Sequence, residues 1–249
     1  MFQDLMALCL AGSRAALPQN WWTAWSLAPA ATVPLLALLA WLLSRRRQPW
    51  PLAGWVLLAI ALVSPLCRLA ATLAWAHMAQ LMLLLAGTAL LALGARPRAH
   101  VPQPGPAAAV HGLLLWLWHV PPVYAAVLQY PSLHVLAYVL LLGSAGWFWC
   151  AVLQAPPPER GAALLALLAT MAHTGLLGAL LTFASQPLYP LQAAGARAWG
   201  LDPLQDQQLA GLSMWVIGAA GYLLTAVGLS LRWWAGVAGA STPRRLTFP

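Results

Sequence analysis

Lysine is absent from this sequence, and acidic residues number only four: Asp4, Glu159, Asp202 and Asp206. Charged residues make up 6% of the chain, against about 25% in a typical soluble domain. So little charge excludes a globule with an ordinary water-facing surface. None of the acids falls deep in an apolar run, which argues against a hydrolase built on paired carboxylates and against a carboxylate-driven proton pump. Cysteine is scarce too. Cys9, Cys67 and Cys150 are widely scattered and make no CxxC, so the expectation is small apolar fillers without a disulfide framework. The opening MFQDLMALCL lacks a basic stretch, so no cleaved signal peptide is expected. The formal net charge is +8. Its arginines lie in short connections and form no stripe, which excludes nucleic acid as a partner.

What is present is hydrophobic sequence, 62% of the chain. It divides into apolar runs bounded by proline, arginine or polar signals, at about 27–44, 52–66, 70–94, 109–128, 132–153, 161–184 and 209–231. The fold class expected is all-α: a polytopic transmembrane bundle of about seven spans, forming one integral membrane domain over 1–249. Residues 1–26, with Trp21, Trp22 and Trp25, suit an outer interfacial segment. If successive spans alternate, one side collects Arg45, Arg46, Arg47, Arg96, Arg98, Arg160, Arg232, Arg244 and Arg245. The other side collects only Arg14, Arg68 and Arg197. The positive-inside rule then places the N-terminus outside and the C-terminus inside, with the long 185–208 loop outside.

Ligand-type side chains at membrane depth mark candidate function. Counted from the expected outer ends of their spans, His77, His119 and His173 lie at similar depth, roughly 10–15 Å below the surface at 1.5 Å per residue. His134 lies near the outer mouth, and His100 and His111 toward the inner side. Met78, Met171 and Met214 accompany the three deep histidines. Imidazole suits several transition metals and thioether selects Cu(I), so one reading is a copper site opening outward. The other is histidines hydrogen-bonded between helices with methionines filling gaps. Haem held by two of the histidines is a third. Pro121 and Pro122 predict a kink beside His119. Gly175 and Gly178 predict close helix approach, and Thr174 is placed to bond back to its own helix. Asp202 before Pro203 predicts a helix cap, and Asp202 and Asp206 suit the positive end of that helix. Gln207 and Gln208 need partners in an apolar span.

Several stretches together resemble the CtaG family of caa3-type cytochrome c oxidase assembly factors, over about Trp25 to Trp234. They are Ser64-Pro65-Leu66, Ala76-His77-Met78 with Gln80, Trp116-Leu117-Trp118-His119 with Pro121, His134, and the run His173 to Phe183. Further matches are Pro187-Leu188-Tyr189, Trp199-Gly200-Leu201, Pro203-Leu204, Asp206 to Gly211, and Met214-Trp215. The resemblance implies a seven-span bacterial plasma-membrane protein, not an enzyme, that helps a haem–copper oxidase form. Its implied role is to assist copper insertion from the outer face. The implied partners are an oxidase subunit, a soluble copper donor on the outer side, and the lipid membrane. Cu(I) would be held by His77, His119 and His173, with Met78, Met171 or Met214 assisting. Two positions depart from the family pattern. The second histidine of HMxxH is Leu81 here, and an acid after Ser-Pro-Leu is Cys67. Cys67 either substitutes as a soft ligand or signals that metal binding is lost. The rival classes are a metal-free chaperone or interaction protein for oxidase subunits, and a small-solute or ion transporter.

Overall fold

Prolines set most of the helix starts. A computed structural model describes residues 8–10, 16–45, 48–95 and 103–240. Among these residues there are ten α-helices and no strand. They are α1 (Pro29–Ser44), α2 (Pro49–Val63), α3 (Pro65–Thr72), α4 (Ala74–Leu93), α5 (Pro104–His119), α6 (Pro121–Gln129), α7 (Pro131–Leu153), α8 (Arg160–Thr182), α9 (Ala193–Ala198) and α10 (Pro203–Ala240). Seven of the ten begin at a proline in the first helical position, where the missing N–H is no loss and φ is already helical. Arg14, Arg46, Arg47, Arg96, Arg98, Arg244, Arg245 and His100 lie outside the described residues.

Four helices are long and apolar enough to cross a membrane. The number is six if each bent pair, α2 with α3 and α5 with α6, counts as one span. α1 is apolar but shorter. One further break corrects an expected boundary. The run expected at 70–94 breaks at Leu73, so residues 70–72 belong to α3 and α4 starts at Ala74. The α2–α3 pair bends by 53°, and the α5–α6 pair by 79° at the Pro121-Pro122 step. Pro121 can give no N–H to the preceding turn, so the α5 ladder ends there.

The helices run alternately up and down. At one end the α4 terminus meets those of α2 and α7: Gly94 lies against Pro51, and Gln154 donates to the Ala95 carbonyl at 3.4 Å. At the opposite end α3, α6, the 184–202 connection and the start of α10 converge. There Gln192 donates to the Ala70 carbonyl at 2.8 Å, and the Tyr124 hydroxyl to Gln192 Oε1 at 2.9 Å. α4 is central, packing against α2, α3, α7 and α10. Its Met78 and Leu84 are fully buried alongside Leu115, Phe148, Leu167, Leu181 and Met214. Leu36, Leu113, Leu165, Leu176 and Leu224 stand exposed on the periphery, as lipid-facing positions do.

Glycines bring two helix pairs into backbone contact. A Cβ on Gly178 of α8 would lie 2.8 Å from the Gly211 carbonyl of α10, and one on Gly211 would lie 2.6 Å from the Gly178 carbonyl. Gly54 and Gly87 do the same for α2 and α4. Gly178 meets the expectation of close approach, whereas Gly175 has ordinary contact with Trp215 at 3.5 Å. In lipid, where burying apolar side chains between helices gains little, such backbone contact is a main source of helix adhesion.

The cysteine expectation is corrected. Cys9 and Cys67 form a disulfide across 58 residues, and Cys150 is free and buried. The bond fastens the segment around Leu8 and Cys9 onto α3. Ser26 supports this return by donating to the Leu8 carbonyl at 2.6 Å. Sequence separation of this size carries no spacing signature. Denatured protein alkylated without reduction should therefore show one labelled thiol by intact mass, and three after reduction. Three labels without reduction would remove the link.

Candidate functional site

The breaks in the helices place the site. Because α4 begins at Ala74, His77 sits in its first turn, and His119 is the last residue of α5. Both therefore stand at the end where α3 and α6 fold over the bundle. His173 lies nine residues before the end of α8, about 14 Å along the helix. His173 therefore stands apart from the other two along the bundle, with its ring against Gly112 of α5.

His119 is buried between Leu115 and Met78. Its Nδ1 lies 2.7 Å from the Leu115 carbonyl, which can only accept, so Nδ1 carries the proton. The other ring nitrogen, Nε2, lies 3.5 Å from Met78 Sδ. In the neutral ring these are two lone-pair atoms facing one another. His77 sits edge-on to the Tyr124 ring at 5.1 Å, and its buried Nδ1 has no hydrogen-bond partner. His77 and His119 both line one cavity of about 40 Å³ with Leu81, Trp118, Tyr124 and Tyr138. The indole nitrogen of Trp118 is likewise buried and unpartnered. The space holds about one water-sized group.

The other expected ligands lie elsewhere. His173 Nδ1 accepts from the Trp116 indole at 3.3 Å, and its ring lies against Gly112, where a Cβ would come within 2.9 Å of Nε2. Met171 packs against the main core on the same helix, and Met214 is buried in that core from α10. Cys67 is held in the disulfide with Cys9, so its sulfur is not a free thiolate. Among the described residues no group of three or more His, Cys, Asp or Glu side chains is arranged to hold a metal. His111, expected near the inner face, is fully buried, bonded to Ser144 Oγ at 3.0 Å and stacked on Phe148.

The residues that hold this end together are polar groups whose partners sequence reasoning did not supply. Asp202 caps its own helix as expected, accepting from Leu204 N at 2.8 Å. Asp206 lies in the first turn of α10, as expected, but its side-chain hydrogen bonds go to another helix. Its two oxygens accept from Ala74 N at 2.8 Å and Trp75 N at 3.1 Å, capping α4 from α10. Gln207 is buried and fully used, with Oε1 accepting from Leu188 N and Nε2 donating to the Leu181 carbonyl at 3.3 Å. Tyr189 stacks on Tyr124 at 4.1 Å and donates to the His119 carbonyl at 3.0 Å, a group left free by the proline break. Gln80 joins α2 to α7 by donating to the Ala61 carbonyl at 2.7 Å and accepting from Tyr138 at 2.6 Å. Thr174 bonds back to Thr170 as expected, at 2.8 Å.

A fit to a soft cation can be judged from these atoms. His119 Nε2 and Met78 Sδ form one nitrogen and one thioether donor in a buried, uncharged setting, a set suited to Cu(I). The unpartnered Nδ1 of His77 belongs to the wall of the adjoining cavity.

A family model for the cytochrome c oxidase caa3 assembly factor (Caa3_CtaG) matches residues 98–236. The chain belongs to this family. Helices of membrane-spanning length are what the structure shows, and an oxidase assembly factor is the class they fall in. The matched stretch contains His119, His134, Met171, His173 and Met214, while His77, Met78 and Cys67 lie before it. No curated protein and no solved structure matches the chain.

Asp206 gives the direct test of how this end is held. Asp206→Ala leaves two amides of α4 unpaired in an apolar setting, costing about 1–3 kcal/mol, and should lower the thermal midpoint in detergent. Asp206→Asn keeps one acceptor and should fall between the two. A wild-type midpoint in both variants would show that the cap carries no stability.

Proposed function

We propose that this chain assists copper loading of a haem–copper oxidase in the bacterial plasma membrane, without catalytic turnover. The observation that carries the reading is the His119 Nε2–Met78 Sδ pair, two soft or borderline donors 3.5 Å apart beside the unpartnered nitrogen of His77. Cu(I) bound there would be delivered onward as cargo, since thioether and neutral imidazole hold that ion without supplying a counter-charge. The Leu115 carbonyl fixes the tautomer that turns the Nε2 lone pair toward Met78. Tyr189 steadies the backbone at His119, and Asp206 steadies the turn that carries His77 and Met78. Met171, Met214 and His173 stand outside this pair, so their share in copper handling would come through packing or through a second position along a transfer route.

The face of action is read as the outer one. The arginines favour this orientation. The Cys9–Cys67 disulfide lies at the same end as the His119–Met78 pair, and such bonds persist in oxidising compartments outside the cytoplasm. On this reading α1 completes a seven-span bundle. Residues 1–26 and 185–208 then lie on the outer surface, where an oxidase subunit and a soluble copper donor can reach them. The competing reading, a metal-free chaperone that holds an oxidase subunit, is favoured by the absence of a three-ligand cluster among the described residues.

Anaerobic titration with Cu(I) against a modest competitor separates the two. Wild-type protein should retain about one copper, Met78→Leu and His119→Ala should each lose most of it, and His173→Ala should keep it. Leu81→His restores the family's imidazole to the cavity wall and should tighten retention. In cells, loss of copper retention should track loss of oxidase activity without loss of its transcript. Wild-type protein that holds no copper, in cells whose oxidase still depends on it, would establish the chaperone reading instead.

A further inference from the structure

At the end of the bundle remote from His119, a pocket of about 170 Å³ opens where α7 ends, α8 begins and α10 passes. It is lined by Arg160, Arg232, Trp233 and Ser230 over an apolar floor that includes Val152 and Leu164. Three features there point to one kind of ligand. Two guanidinium-bearing residues from separate helices share the cavity wall. Arg160 is the first residue of α8, and Glu159 before it places no side-chain cap on that helix, so a positive charge sits at the positive end of a helix dipole. Arginine there is unfavourable by itself and becomes favourable once an anion joins it. Nor is Glu159 itself in the pocket lining, and its buried Oε2 has no hydrogen-bond partner. The ring of Trp233 lies over Gly161, 3.9 Å from where a Cβ would be, an ordinary contact distance.

The volume equals about five water-sized groups, enough for a tetrahedral phosphate with part of its ester chain. The apolar floor gives the ester chain somewhere to go that a free inorganic ion would not use. Trp233 and the exposed Trp234 mark this end as headgroup level, and Trp50 stands exposed at the start of α2, at the same end of the bundle. We infer that this pocket binds the phosphodiester headgroup of an anionic membrane lipid, with Arg160 and Arg232 on the phosphate and the acyl chains running down the α8–α10 surface. The chain's own 241–249 segment carries Arg244 and Arg245, and its like charge disfavours it as the occupant. Arginine pairs with phosphate in a planar, two-bond geometry that lysine cannot reproduce. A lipid held here would brace α8 against α10, the pair that also meets through Gly178 and Gly211.

Purified full-length protein in a neutral detergent provides the test, with phosphatidylglycerol, phosphatidylcholine and inorganic phosphate as separate probes. Binding is read by native mass spectrometry and by the shift in thermal midpoint. Phosphatidylglycerol should bind and raise the midpoint, and the other two should not. Arg160→Gln combined with Arg232→Gln should weaken phosphatidylglycerol binding on the order of tenfold or more, while Arg45→Gln, in another part of the surface, should leave it unchanged. Arg160→Lys with Arg232→Lys should give an intermediate loss. Should the glutamine double variant fail to fold, salt decides on the wild-type protein, because binding must weaken as sodium chloride rises. Equal binding of phosphatidylcholine, equal stabilisation by inorganic phosphate, salt-independent binding, or full binding by a folded glutamine double variant would each overturn the inference.

Discussion

In a bundle with this little charge, the governing constraint is the pairing of backbone polar groups where helices break. An unpaired amide or carbonyl in a water-poor interior costs several kcal/mol, and two of the expected spans break inside apolar sequence, at Leu73 and at Val120. Each break is repaired by a side chain from a distant segment. Asp206 takes the amides of α4, Tyr189 the carbonyl of His119, and Gln192 the carbonyl of Ala70. All three residues come from the stretch after α8. That stretch is a loop by length, but by hydrogen bonding it is the plug that allows α4 and α5 to begin and end where they do.

The candidate site follows from those repairs. A histidine in the first turn of α4 and one at the last residue of α5 are brought to a common cavity because both helices stop there. Had the two spans continued as unbroken helices, His77 and His119 would be ordinary mid-helix residues, their environments set by lipid depth alone. The breaks turn two depth-matched residues into neighbours of one cavity, and the same geometry leaves His173 behind, since α8 runs on without interruption to Thr182.

Helix positions were legible in the sequence because apolar runs ending in prolines and arginines are strong signals. Seven expected runs correspond to seven stretches of helix, counting α2 with α3 and α5 with α6. The kink at Pro121-Pro122 and the Asp202 cap were legible because each rests on residues adjacent in the chain. The break at Leu73 was not: it has no proline or glycine, and it exists because Asp206, 132 residues away in sequence from Ala74, satisfies the amides it exposes. The Cys9–Cys67 bond was hidden in the same way, and so were the bonds of Asp206 to α4, since local spacing points only to its own helix. Composition and periodicity report on a residue's near neighbours in the chain, whereas these contacts are fixed by which helix ends happen to meet.

The departure at Leu81 gains a physical meaning from the structure. Leu81 lies one turn beyond His77 on the same helix and lines the same cavity as His77 and His119. An imidazole there would face the other two across a space of about one water. With leucine, the cavity loses a nitrogen donor and becomes more apolar, and the soft pair that remains is His119 with Met78. Under the proposed copper-loading role, a site with one donor fewer would hold Cu(I) less tightly and release it more readily. On the proposed role that would be a change of grip on the cargo, and it leaves intact the scaffold around the cavity: the α4 cap, the proline break and the tyrosine that bonds to the His119 carbonyl.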